Sequence, residues 1–463
     1  MTEAAPATGP APEALPVTAA GPRRGLVLSG GGAKGSFTAG AVDYLFTRAH
    51  YFPEVLTGTS IGSICSGIIA QARTPAEFTR VTATLRDTIL AMGTPGAAVV
   101  PQAWLQELGA TRSGKDIAAY LEAQQTPPPP PDPDLDVDVL APPAADAGPG
   151  PHNLMSLLGS MALRPHILRE MRAHDSSIML FDPFAAALRG EAADSPIAAL
   201  DVAAVARPGL DVRLTVTALN DSCIRYVDQN GAIVERDART PAPGAPAPGV
   251  IEGMLASSSV PTVFPPRRMG DDVYVDGGIV QNIPLAPALE LGADEVVVVL
   301  SEQRLCPPPT QDYATADALS VLYRAESYVA FFDQQRRDLE YADGAGVPVR
   351  LVEPIVDVVG AFDISADRMR INMDYGWLRA CAQFGDLSAS NLAAVNDAAD
   401  RITAARARLL HFAAGDGSSH PAFAESVASA RRQIEEGLAT FADAGLPVPA
   451  EAGEWARLAV PSA

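Results

Sequence analysis

The run GLVLSGGGAKG, residues 25–35, decides how the rest of the chain is read. A short apolar stretch leads into three consecutive glycines, then Ala33, Lys34 and Gly35. An apolar run bounded by glycines is the signature of a buried strand. Beyond it, Phe37, Val42, Leu45 and Phe46 recur at near-helical spacing, so strand, glycine loop and helix follow in order. The next stretch repeats the pattern. EVLTGTS (residues 54–60) runs into IGSICSGIIAQA (residues 61–72), where Ile61, Cys65, Ile68 and Ala72 form a helical stripe. Two such units in succession predict an α/β domain with an at least partly parallel sheet.

Taken alone, the glycine loop admits several readings. GGGAKG satisfies the G-x-G-x-x-G pattern of dinucleotide binders, which also requires an acidic residue about 20 positions on, at the end of the second strand. Glu54 lies near that distance but precedes the apparent strand. A P-loop is excluded, because Lys34 comes before Gly35 and Ser36 follows it. A third reading gives the backbone N–H groups of Gly30, Gly31, Gly32, Ala33, Lys34 and Gly35 to a developing oxyanion, with the positive end of the following helix behind them. The fourth is a tight turn without chemistry.

GTSIG narrows the choice. Gly58, Thr59, Ser60, Ile61 and Gly62 form G-x-S-x-G at a strand-to-helix junction. That is the context of a nucleophile elbow, where the glycines leave room for a strained turn that presents Ser60 Oγ. A serine nucleophile needs an accessible hydroxyl and nearby donors for the charge that forms on the carbonyl oxygen. It also needs a base. None of the six histidines (His50, His152, His166, His174, His411 and His420) falls in a motif. The better candidate is Asp276 in YVDGG, which strand alternation delivers to a strand end before Gly277 and Gly278 turn the chain away. An ordinary Asp-Gly turn is the competing reading at that position.

These residues resemble the patatin-like phospholipase family. Gly30 to Gly35 matches its G-G-G-x-K/R-G oxyanion block, and Gly58 to Gly62 its serine elbow. ASSSVP (residues 256–261), continued by PTVFPP, is similar to its third block. Asp276, Gly277 and Gly278, followed by Asn282 and Pro284, resemble its fourth. MDYGWLRA (residues 373–380) weakly resembles a helix that often follows the family's core. The resemblance covers roughly residues 24–300. It implies a three-layer α/β fold, a largely parallel central sheet flanked by helices; most of the C-terminal helices expected beyond it fall outside the resemblance. It further implies a Ser60–Asp276 dyad without histidine, hydrolysis of lipid acyl esters through an acyl-enzyme, and no metal or cofactor. The expected partner is a lipid or phospholipid substrate at a membrane or micelle surface. Two rivals remain open here: an α/β-hydrolase triad completed by His411 or His420, and a dinucleotide binder.

Residues 1–23, rich in Ala, Pro and Thr, read as a disordered tail that lacks the basic start and apolar core of a secretory signal. Residues 24–300 read as the catalytic domain, interrupted by a proline- and aspartate-rich flexible excursion at 126–151. Asp132, Asp134, Asp136 and Asp138 fail the EF-hand test, because Val137 and Pro143 stand where Gly and Glu are required. A helix is expected over 157–174. LDVRLTVTAL (210–219) alternates as a strand, with AIVERD (232–237) as its expected partner. Residues 250–266 read as a helix ended by Pro261, 271–278 as a strand and turn, and 293–301 as a buried strand. Residues 301–463 read as a mostly helical extension.

With Lys plus Arg at 34 and Asp plus Glu at 55, the net charge of −21 argues against nucleic acid as a partner. No run of about 18 apolar residues predicts a transmembrane helix, so a cytoplasmic location with transient membrane contact is expected. Cys65, Cys223, Cys306 and Cys381 show no metal or disulfide spacing.

Overall fold

The computed structural model describes residues 21–109, 177–244, 247–304, 311–361 and 363–461, with short pieces between 110 and 176 (129–135, 139–140, and positions 111, 115 and 169). The helix expected over 157–174, most of the 126–151 excursion, residues 1–20, and His152, His166 and His174 lie outside the described residues.

The two strand-to-helix units form as the sequence predicts. Strand β1 (Arg24–Leu28) feeds the glycine loop and helix α1 (Gly35–Thr47), and β2 (Val55–Thr59) feeds α2 (Ile61–Ile69). Helix α3 (Pro75–Met92) follows, its first turn closed by a capping box between Thr74 and Glu77. Two-residue strands β3 (Val100–Pro101) and β4 (Met179–Leu180) pair with each other. Next come β5 (Asp211–Ala218), β6 (Cys223–Asp228), β7 (Ile233–Val234), α4 (Val250–Ser257), β8 (Arg267–Met269), β9 (Asp272–Asp276), α5 (Leu285–Glu290) and β10 (Glu295–Val299). Beyond residue 301 lie α6 (Ala318–Arg324), α7 (Ala330–Ala345), strand β11 (Val349–Val352), α8 (Ala366–Phe384), α9 (Ala389–Ala413) and α10 (Phe423–Asp443).

Nine strands make one sheet in the order β11-β10-β1-β2-β5-β6-β7, with β9 also on β5 and β8 on β9. The five strands from β11 to β5 run parallel. The alternation expected in β5 puts polar residues on one face, yet Thr215 and Thr217 are as buried as Val216, because β5 is interior. Its long antiparallel partner is β6, and Ile233–Val234 of AIVERD pairs with β6 instead. The sequence of β6, CIRYVD, hides this by placing charged residues on a strand that is still largely buried.

Strand periodicity sorts the core into two layers. Leu26, Leu28 and Val299 face a cluster that includes Phe37, Leu45, Ile64 and Trp377. Val27, Val296 and Val298 face the opposite cluster, with Ile283, Leu285 and Ala342. A sheet covered on both faces by helices is what near-continuous apolar strands such as VVVV require. The region past residue 301 joins this architecture. Strand β11 extends the sheet beside β10, and α8 makes the most extensive helix pairing of the fold, against α1. The described part of the proline-rich segment is held too. Arg408 Nη1 donates to the carbonyls of Pro130 (3.0 Å) and Pro131 (3.1 Å), and Gln433 Nε2 donates to Asp132 and Asp134, both at 2.7 Å. Among the described residues, no helix is long and apolar enough to cross a membrane.

The α1–α8 contact depends on two glycines that face each other's backbone. A Cβ on Gly40 would lie 1.8 Å from the Met373 carbonyl oxygen, and one on Gly376 would lie 2.0 Å from that of Phe37. Gly376→Ala is expected to separate the helices and destabilise the protein by about 1–3 kcal/mol, the usual range for an overpacked contact. Thermal denaturation of the variant checks this; an unchanged melting temperature would mean that the helices do not approach this closely.

Candidate active site

The parallel register of β1 and β2 pairs Leu28 with Gly58 and so brings the glycine loop and the GTSIG turn to the same end of the sheet. A Cβ on Gly30 would lie 3.2 Å from Ser60 Cβ. Ser60 sits between β2 and α2 with φ 54° and ψ −123°, a backbone conformation unfavourable for any residue with a Cβ. Tight packing holds it there: a Cβ on Gly62 would approach the Leu28 carbonyl oxygen to 2.2 Å, so only glycine fits.

Asp276 arrives by a different route. Strand β2 ends with Thr59 opposite Thr215 of β5, and β9 runs antiparallel along the next residues of β5, with Asp276 opposite Val216. Because β6 occupies the other edge of β5, β2 and β9 share one edge and meet end to end. Ser60 and Asp276 stand at that junction, 4% and 1% exposed. The Gly278 N–H donates to Asp276 Oδ1 at 2.7 Å. Oδ2 is buried without a well-formed hydrogen bond, and the Ser60 hydroxyl is the side chain that interacts with this carboxyl. Burial raises the Asp276 pKa to about 7, and the Ser60 hydroxyl and the Gly278 amide partly oppose that rise. Gly277, also part of the predicted turn, packs against the backbone of Thr215.

The six-residue oxyanion assignment separates into two groups. The amides of Gly30, Ala33 and Lys34 donate to Asn282 O (3.2 Å), Ala361 O (2.8 Å) and Gly31 O (3.2 Å), and that of Gly35 donates within the same short turn. The amides of Gly31 and Gly32 have no partner among the described residues. Gly32 has φ +58°, and a Cβ there would lie 2.3 Å from the Ala361 carbonyl oxygen. Lys34 Nζ pairs with Asp357 at 2.9 Å. Burial works against the Lys34 charge, but Asp357 and Glu302 outweigh it and raise the pKa.

Sequence periodicity gave no sign of the cavities. One of about 210 Å³ opens beside Ser60 and Gly32, walled by Ile64, Ile89, Phe181, Phe264, Ile364 and Met369. A second, of about 20 Å³, lies on the Asp276 side with Gly31, Asn282, Glu302 and Phe331. Ser60 borders both, and the first has the size and apolar lining to take an apolar chain.

The rival readings do not fit this arrangement. His411 contacts Asp416 and Arg368, His420 accepts from the Ala422 amide, and neither lines a cavity that contains Ser60. Glu54 accepts from the Arg24 amide at the start of β1, the end of the sheet away from the glycine loop, so it cannot serve a dinucleotide at GGGAKG. Among the described residues no group of three or more His, Cys, Asp or Glu could hold a metal ion.

The Asp276 carboxyl is expected to titrate with a midpoint near pH 7, and Ser60→Ala to move it higher by removing a contact that favours the charged form. Carboxyl ¹³C NMR of the two proteins measures both; a midpoint near the usual aspartate value of about 3.9 would contradict the burial argument.

A family model described as patatin-like phospholipase matches residues 26–122 and 148–289, just over half of the chain. No curated protein matches it. Among solved structures, VipD from Legionella pneumophila is 14% identical, with 96% of this chain and 89% of that one covered and a TM-score of 0.32. A structure of full-length SpcU with full-length ExoU, from the type III secretion system of Pseudomonas aeruginosa, matches at 16% identity over 94% of this chain and 76% of that one, TM-score 0.21.

Proposed function

The chain belongs to the patatin-like phospholipase family of lipid hydrolases, and we propose that it cleaves carboxylic acyl esters of lipids through Ser60 and Asp276. The observation that carries this reading is the buried junction of β2 and β9, which brings Ser60 and Asp276 together with Ser60 on the wall of an apolar cavity.

In the proposed reaction, the ionised Asp276 carboxylate takes the Ser60 hydroxyl proton as Oγ attacks the acyl carbon. The carbonyl oxygen becomes an oxyanion and accepts hydrogen bonds from the Gly31 and Gly32 amides, which are held by the backbone and need little reorganisation. The tetrahedral species then expels the alcohol, which leaves with the proton from Asp276, and the acyl group remains on Ser60 Oγ. Water, deprotonated by the same carboxylate, hydrolyses this ester and restores the hydroxyl. A carboxylate with an ordinary pKa near 3.9 would be a weak base for both steps; one raised to about 7 is matched to neutral pH. The larger cavity would hold the acyl chain.

Ester turnover by the wild type is expected to fall about 10³-fold or more in both Ser60→Ala and Asp276→Asn. Wild-type kcat/KM is expected to rise with pH through about 7 and then level off, because protonated Asp276 cannot accept the serine proton. Turnover surviving in either variant, or a profile flat from pH 5 to 8, would reject the dyad.

A further inference from the structure

The ASSSVP block (residues 256–261) has no role in the chemistry above, although it lies between the dyad partners. At the end of α4, Ser257 Oγ accepts a hydrogen bond from the Ser60 N–H at 3.0 Å. The same oxygen lies 2.6 Å from Ser63 Oγ, and Ser63 Oγ donates to the Gly58 carbonyl at 2.8 Å. Each hydroxyl carries one proton, so the directions are fixed: Ser60 N–H to Ser257, Ser257 O–H to Ser63, Ser63 O–H to Gly58 O. Ser257 and Ser63 are wholly buried. The chain starts and ends on the GTSIG backbone and passes through one residue of another element. Two residues further on, the Ser259 carbonyl accepts the Asp276 N–H at 2.9 Å. Ser259 Oγ meanwhile donates to the Leu255 carbonyl at 2.8 Å, which ties the segment to the last turn of α4.

We propose that Ser257 is a positioning residue for the nucleophile, and that the segment 257–259 sets the spacing between Ser60 and Asp276 by holding the backbone amide of each. The proposal rests on the dyad reading for its kinetic consequences but not for its structural ones. The Ser60 amide needs this acceptor. It lies at the strained turn where helix α2 begins, and first-turn amides have no intrahelical partner. Without Ser257 Oγ, the amide would be buried and unpaired, and the turn would relax away from φ 54°. The Ser60 hydroxyl would move with it, relative to a carboxylate whose own backbone is still fixed.

The test compares Ser257→Ala with Ser257→Thr, which keeps the hydroxyl. In Ser257→Ala, kcat on a water-soluble short-chain ester is expected to fall at least 10-fold with KM changed less than about 3-fold. The rate of Ser60 labelling by a fluorophosphonate should fall in parallel, and Ser257→Thr should recover at least a third of both. Adding Ser63→Ala to Ser257→Ala should cost less than about 2-fold more, since the chain is already broken. Independently of activity, hydrogen exchange of the peptide spanning residues 58–64 should quicken at the Ser60 amide in Ser257→Ala and not in Ser257→Thr. If Ser257→Ala proves too unstable to assay, Ser63→Ala alone, which leaves Ser257 Oγ in place but removes its acceptor, should still lower kcat about 2- to 5-fold. Wild-type labelling and exchange rates in Ser257→Ala would overturn the proposal. If the wild-type protein neither cleaves esters nor labels at Ser60, the dyad reading fails, while the exchange result still decides whether Ser257 holds the turn.

Discussion

Two strands that end against each other on one edge of β5 set the terms for everything else in this protein. Strand β2 stops where its chain must turn into α2, and β9 arrives from the opposite direction to fill the remaining edge. The alcohol and the carboxylate that terminate them are forced together inside the sheet, out of water. Burial makes Asp276 reluctant to ionise and raises its pKa to about 7, the property that the proposed role as a base near neutrality requires. The turns around the Gly31 and Gly32 amides are anchored by other contacts: Gly30 by Asn282, Ala33 by Ala361, Ser60 by Ser257.

The region beyond residue 301 helps to build this site. Asp357 receives the buried Lys34 ammonium, Asn372 Nδ2 donates to the Lys34 carbonyl and to Ser36 Oγ, and Ile364 and Met369 wall the larger cavity. Each of these contacts bears on the glycine loop or on the space it borders. A buried lysine is tolerable only with its partner in place, since an uncompensated charge there would be strongly destabilising. The glycine loop, contributed by the first strand-to-helix unit, is thus held in shape by side chains more than 300 positions away in the chain.

Local chemistry made much of this legible in the sequence. Glycine clusters, strand-length apolar runs and helical stripes are properties of neighbouring residues, so the first two units, the serine turn and the strand that ends at Asp276 could be read directly. Pairing between distant strands could not. AIVERD was the natural partner for β5 by proximity and apolar content, yet CIRYVD, with an arginine and an aspartate in it, holds that place because its charged groups find partners at the sheet margin. The cavity was equally hidden, since its walls come from six separated stretches that share little but apolarity. Nor could the sequence separate Gly31 and Gly32 from the other four loop residues: which amides are already engaged depends on Asn282 and Ala361, far off in the chain.

The most direct test of the account is a crystal structure of the protein inactivated by a long-chain alkyl phosphonate, a stable mimic of the tetrahedral species. The account predicts phosphorus bonded to Ser60 Oγ and the alkyl chain in the cavity walled by Ile64 and Phe264. It also predicts the phosphonyl oxygen about 2.7–3.1 Å from the Gly31 and Gly32 amides. Phosphorus on another residue, or a phosphonyl oxygen turned away from that loop, would contradict it.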